Sequence, residues 1–80
     1  MNKDQVLVEV NTIFREVFND PQLQIDLSTA AKDVANWDSM NNLFLIDALE
    51  QRFKFKYTLD EMMNAQNVGE LIDIIVSRGQ

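Results

Sequence analysis

The tetrad Trp37-Asp38-Ser39-Met40 is where this sequence concentrates usable chemistry. Its serine sits where a long connection turns into a helix, so the hydroxyl is presented at the first turn rather than on a flank. Backbone N–H groups there lack intrahelical partners, and the helix dipole favours negative charge. A phosphodiester on Ser39 would therefore meet a ready anion site. Asp38 and Ser39 are also both strong N-cap types, so either could serve only to cap the helix. The other carboxylates form no acid/base couple. Asp47 and Glu50, at i and i+3, read as a solvated helix face, and Asp60-Glu61 as first-turn acids that suit the macrodipole. Both glycines, 69 and 79, fall near the end, so there is no Gly-rich phosphate loop, and no run of acids has the order of a calcium loop. With no cysteine and no histidine, the thiol nucleophile, the usual zinc ligands and the commonest general base are all missing. These absences argue against an enzyme, and no metal site is assigned.

The elements that must position Ser39 are helical. Eighty residues make one domain, 1–80, and two glycines with one proline leave little punctuation for hairpins. Val6, Val10, Ile13, Phe14 and Val17 recur on one face, predicting an amphipathic helix over about residues 3–18 that stops before Pro21. Residues 19–38 read as a long ordered loop. Leu23, Ile25 and Leu27 alternate without a partner strand, Ser28 or Thr29 could cap one helical turn, and Trp37 is the largest anchor. A second helix opens at Asp38-Ser39, with Leu43, Ile46, Leu49 and Phe53 as its buried stripe. Phe53-Lys54-Phe55-Lys56-Tyr57 alternates like a strand but is too short to make a sheet. Thr58-x-x-Glu61 is a capping-box signature for a short helix carrying Met62 and Met63, read as core. Asn67-x-x-Glu70 opens a last helix with Val68, Leu71, Ile72 and Ile75 on one face. The expected fold is all-α: a small four-helix bundle, three main helices plus one short one, with a long loop between the first two. Seven basic against 13 acidic residues give a net charge of −6, which argues against nucleic acid and anionic membranes as partners. No stretch reads as a signal-peptide core or a bilayer span, so a cytoplasmic monomer is expected.

Asp38-Ser39-Met40, preceded by a long loop and followed by Leu43, Ile46, Leu49, Glu50 and Phe53, resembles the acyl carrier proteins, which commonly read Asp-Ser-Leu before a helix ending Leu-Glu-x-x-Phe. The similarity extends upstream to Thr29-Ala30, Val34 and Trp37 and downstream to Asn67-Val68-Gly69-Glu70-Leu71-Ile72, covering almost the whole chain. It implies that Ser39 carries 4′-phosphopantetheine, transferred from coenzyme A by a separate Mg²⁺-dependent phosphopantetheinyl transferase. Asp38 would help to position metal and cofactor in that transfer, and Met40 would give the transferase an apolar handle. An acyl group would ride as a thioester on the arm's terminal thiol and be presented to loading, condensing or transferring enzymes. That division of labour suits a chain without Cys or His: the reactive sulfur is imported, and the tether raises the local concentration of cargo at a docked enzyme.

The departures from the family pattern sharpen the expectation. Family members devoted to bulk fatty-acid synthesis carry many acids soon after the serine; here Asn41, Asn42, Leu43 and Phe44 follow, with only Asp47 and Glu50 before Arg52. Phe44 lies off the expected stripe and is either core or an exposed contact, so docking is expected to lean on Phe44 and Met40, with Asp47 and Glu50 supplying the charge. Lys54 stands where the family commonly has Gly; if that position needs a positive φ, lysine there costs about 1 kcal/mol. Leu43, Ile46, Leu49, Leu59, Met62 and Leu71 would line an acyl pocket between the second and third helices. Trp37 and the thinly acidic second helix lean towards a specialised carrier over the one for bulk fatty-acid synthesis. Lipid, polyketide, or aminoacyl and D-alanyl loading stay open, as does the competing class of an acidic helical interaction module whose Asp38 and Ser39 merely cap a helix.

Overall fold

The computed structural model describes residues 2–79. It contains four α-helices, α1 (Lys3–Val17), α2 (Ser39–Phe53), α3 (Leu59–Asn64) and α4 (Val68–Arg78), with one 3-10 turn at Ala31–Asp33 and no strand among the described residues. α1 packs against α2 and α4. The expected all-α bundle and its long first connection are therefore what forms.

Local chemistry sets each boundary. Asn2 caps α1, its Oδ1 accepting the Gln5 N–H at 2.9 Å while Gln5 Oε1 accepts the Asn2 N–H. Val6, Val10, Ile13 and Phe14 form the buried face of α1. The helix ends at Val17, and Asn19 takes a left-handed conformation (φ 52°), which asparagine tolerates better than most residues. Asp20 N–H then reaches back to the Arg15 carbonyl at 3.0 Å, closing the helix before Pro21.

The long connection is held by α1 and α4. Asn11 donates from Nδ2 to the Ile25 carbonyl (3.1 Å) and accepts the Ile25 N–H on Oδ1 (2.8 Å), so one amide side chain satisfies the backbone that a partner strand would have paired. Arg15 Nε donates to the Leu23 carbonyl at 2.6 Å. Of the alternating Leu23, Ile25 and Leu27, only Ile25 is fully buried. Asp26 Oδ1 accepts from Ser28 N–H, Ser28 Oγ and Thr29 Oγ1, and these bonds hold its carboxyl below the usual carboxylate range. The helical turn is capped by neither Ser28 nor Thr29, the two residues the sequence offered for that role. Those side chains serve the Asp26 turn, and Asp33 accepts the Ala30 N–H at 3.0 Å instead. The carbonyls of Leu27 and Thr29 take the first two N–H groups of α4, from Gly69 and Val68, each at 2.8 Å. Trp37 anchors the end of the connection as expected, edge-on to Phe14 at 5.1 Å.

The buried stripe of α2 is Leu45, Ile46, Leu49 and Phe53. Leu43 does not belong to it and is 64% exposed. At 100° per residue the centre of that stripe lies about 100° from Leu43, because Leu45 rather than Leu43 sets the register. Lys54 ends α2 in the left-handed region (φ 58°, ψ 54°), the conformation for which the family commonly uses Gly. Phe55-Lys56-Tyr57 follows as irregular chain, Phe55 stacking edge-on against Tyr57 at 4.7 Å. Tyr57 is buried and donates its hydroxyl to the Leu71 carbonyl at 3.0 Å. Thr58 and Glu61 close the capping box of α3, while Asn67 Oδ1 accepts the Glu70 N–H to start α4. The two methionines of α3 divide, Met62 half-buried and Met63 exposed, so Met63 is not core.

Candidate functional site

Asp38, not Ser39, caps α2. Its backbone is extended (φ −102°) and its Oδ1 accepts the Asn41 N–H at 2.9 Å. This leaves Ser39 as the first helical residue, exposed, on a helix of 15 residues. The strand of chain leading into it is clamped by the two asparagines that follow. Asn41 Nδ2 donates to the Asn36 carbonyl at 2.7 Å, and that carbonyl also accepts the Asp38 N–H at 2.9 Å. Asn36 itself is left-handed (φ 69°). Asn42 Oδ1 accepts the Trp37 indole N–H at 2.8 Å, tying the loop's aromatic anchor to the first turn of α2. Sequence reading treated Asn41 and Asn42 only as missing acids. The signal that would have found them is the pair of side-chain acceptors and donors one turn after a Trp that must satisfy its N–H when half-buried.

Beside Ser39 lies a cavity of about 310 Å³. α2 contributes Asp38, Ser39, Asn42 and Ile46 to its wall, the loop contributes Ala31 and Trp37, and the α3–α4 corner contributes Met62, Ala65, Gln66, Asn67 and Leu71. Of the six residues expected to line an acyl pocket, Ile46, Met62 and Leu71 are therefore present. Leu49 is fully buried in the core and does not line the cavity, and Leu43 and Leu59, at 64% and 67% exposure, face solvent. Leu59 is turned out because Thr58 caps α3 immediately before it, which puts the inward turn of this six-residue helix at Met62.

The outward face of α2 carries Met40, Leu43 and Phe44, all more than half exposed, together with Asp47, whose Oδ2 accepts from Gln51 Nε2 at 3.0 Å. Phe44 is thus exposed rather than core. Glu50 leaves this group: it is half-buried and its Oε2 accepts the Tyr57 N–H at 2.8 Å, so its carboxylate holds the α2–α3 connection. Among the described residues no cluster of acids is arranged to hold a metal ion, and no helix is long and apolar enough to cross a membrane.

A small all-α bundle with one exposed serine at the head of its second helix, beside a cavity, is the architecture of a carrier domain. No family model matches the chain. It is 31% identical over 75 residues to the acyl carrier protein of Exiguobacterium sibiricum, spanning 94% of this chain and 95% of that one. Its fold matches the solution structure of holo acyl carrier protein from Geobacter metallireducens at a TM-score of 0.83, with 37% identity, covering 89% of this chain and 82% of that one. The chain belongs to the acyl carrier protein family. Proteins of this family are carriers that work with acyl-handling enzymes rather than catalysts in their own right.

Proposed function

We propose that Ser39 Oγ carries a 4′-phosphopantetheine arm and that the chain presents thioester-bound groups on it to partner enzymes. The observation that carries this reading is the exposed Ser39 at the first position of α2, with capping delegated to Asp38. In the attachment reaction the Oγ–P bond forms as the pyrophosphate P–O bond of coenzyme A breaks. Adenosine 3′,5′-bisphosphate leaves, and the serine proton passes to a base on the transferase. The chain's own contribution is presentation. The free N-terminal N–H groups and dipole of α2 favour a phosphodiester at Ser39, and Asp38 offers its remaining carboxylate oxygen next to it, where the transferase's Mg²⁺ would sit. When bound, the arm supplies a thiol that holds cargo as a thioester.

Any enzyme that reaches Ser39 must approach the first turn of α2, so Met40, Leu43, Phe44 and Asp47 form the docking face in this reading. Three exposed apolar side chains beside one acid make that contact chiefly hydrophobic, the pattern of a patch with a partner. Ile46, Met62 and Leu71 lie where the carried group would rest. The test is direct. Incubation with coenzyme A, Mg²⁺ and a broad-specificity phosphopantetheinyl transferase should add the mass of one arm by intact-protein mass spectrometry, and Ser39→Ala should abolish the gain. Uptake that persists in Ser39→Ala, or no uptake with several transferases, refutes the assignment.

A further inference from the structure

Of the seven cations in this chain, four gather at one end of it. Arg52, Lys54 and Lys56 fall within five consecutive residues where α2 ends, and Arg78, in the last turn of α4, holds its guanidinium 5.7 Å from the Phe55 ring. α2 is 15 residues long, so this pole lies about 21 Å along the helix from Ser39. Both arginines are engaged, Arg52 with Glu9 and Arg78 with Glu61, and Glu50 accepts the Tyr57 N–H. Lys54 and Lys56 are exposed and take part in no salt bridge among the described residues. The needs of the helix end do not account for Lys54. The negative end of the α2 dipole already has Arg52 in its last turn. The N–H of residue 54 closes the helix onto the Glu50 carbonyl, a bond that glycine would make equally well. Lysine at φ 58° is therefore held against its backbone preference with no local return, its ammonium unpaired two residues before that of Lys56.

We propose that this pole binds a short acidic segment of a partner protein and anchors the carrier by the end remote from Ser39; the anchoring, though not the binding, rests on Ser39 holding the arm. With one pole held and the other free, the arm works at a raised local concentration on the enzyme beside it. Charge selects a peptide over other polyanions. The chain carries −6 overall, and at physiological salt screening confines interactions between exposed charges to about 8 Å. A segment of a few residues feels the pole alone. A bilayer surface or a long duplex extends past a molecule of 28 × 25 × 21 Å, so it also meets the surrounding acids and is repelled.

The probe is hexaglutamate, titrated at low salt into the isotope-labelled chain while its amide resonances are followed by NMR. Saturable shifts should centre on residues 52–57 and 78. Lys32, an exposed lysine on the 3-10 turn of the long connection, is the internal control, and its amide should stay still. Lys54→Gly and Lys56→Gln should each weaken binding about two- to fivefold, the worth of one exposed ion pair. Lys54→Gly is expected to gain stability, so its loss of binding cannot be a loss of fold. Ser39→Ala should bind the peptide as the parent does, which lets a failure of arm uptake and a failure of this surface be read separately. Shifts of equal size around Lys32, or an affinity unmoved by either lysine variant, overturn the surface and leave the two lysines as solvated charge. Phosphatidylglycerol vesicles or a DNA duplex that perturb the same amides more strongly than hexaglutamate, at equal concentration of anionic charge, overturn the acidic peptide as occupant.

Discussion

Replacing Gly69 by alanine sets two effects of opposite sign against each other at one position. Gly69 is the second residue of α4, and a Cβ built on it would lie 2.7 Å from the Leu27 carbonyl oxygen, against 3.4 Å for an ordinary contact. The loop must therefore retreat by about 0.7 Å, which takes the 2.8 Å bonds from Gly69 and Val68 to the loop carbonyls to about 3.5 Å, the edge of a useful geometry. Losing two such bonds costs about 2 kcal/mol. Alanine's better helix propensity returns about 1 kcal/mol. The balance is a destabilisation of about 1 kcal/mol, or a drop of roughly 4–8 °C in Tm for a domain of this size. Thermal unfolding by circular dichroism measures the sum, and amide hydrogen exchange at positions 68 and 69 should accelerate because their acceptors have withdrawn. A rise in Tm with unchanged exchange at those two amides would show that propensity outweighs the clash and that the loop is not held through Gly69.

Three further outcomes follow from the same geometry. Lys54→Gly should raise Tm, since a lysine held at φ 58° costs about 1 kcal/mol that glycine does not; Lys54→Ala removes the same charge without relieving the backbone, and a Gly variant no more stable than the Ala variant refutes the strain. Burial, and then the nearby Glu61 and Glu50 carboxylates, push the phenol of Tyr57 above its ordinary value of 10.0, so this group's contribution to stability is fully present below about pH 10 and is lost as pH rises beyond it. Tyr57 is the only tyrosine, so tyrosinate absorbance should appear together with loss of helix; ionisation near pH 10 with the helices intact would refute that burial argument. Phe44→Ala should change unfolding free energy by less than about 0.5 kcal/mol, as for an exposed site, while lowering the transferase's kcat/KM on this protein about fivefold or more. Unchanged kinetics would remove Phe44 from the docking face.

What the sequence made legible, and what it hid, divides along a physical line. Periodic apolar spacing is a direct record of which helix face is buried, so α1 was readable to within a residue and α4 in its start and buried face, and the capping box at Thr58 and Glu61 declared its helix through two side chains alone. The stripe of α2 was harder because Leu43, Phe44, Leu45 and Ile46 are four consecutive apolar residues, which periodicity cannot phase. Only packing against α1 decides that Leu45 and Ile46 point in while Leu43 and Phe44 point out, and that decision creates an exposed apolar face. The long connection was opaque for a different reason. It is held by side chain to backbone bonds from Asn11, Arg15 and Asn41, whose partners lie 5 to 14 residues away, and such bonds leave no pattern in spacing. The same holds at the site itself. Ser39 was visible because the residue type and the helix start coincide, whereas the cavity wall joins Asn42 of α2 to Gln66 and Asn67 of the α3–α4 connection, some two dozen residues further along the chain. Chemistry carried by a single position can be read from one line of letters; a cavity wall exists only once the bundle has brought α2 and the α3–α4 corner together.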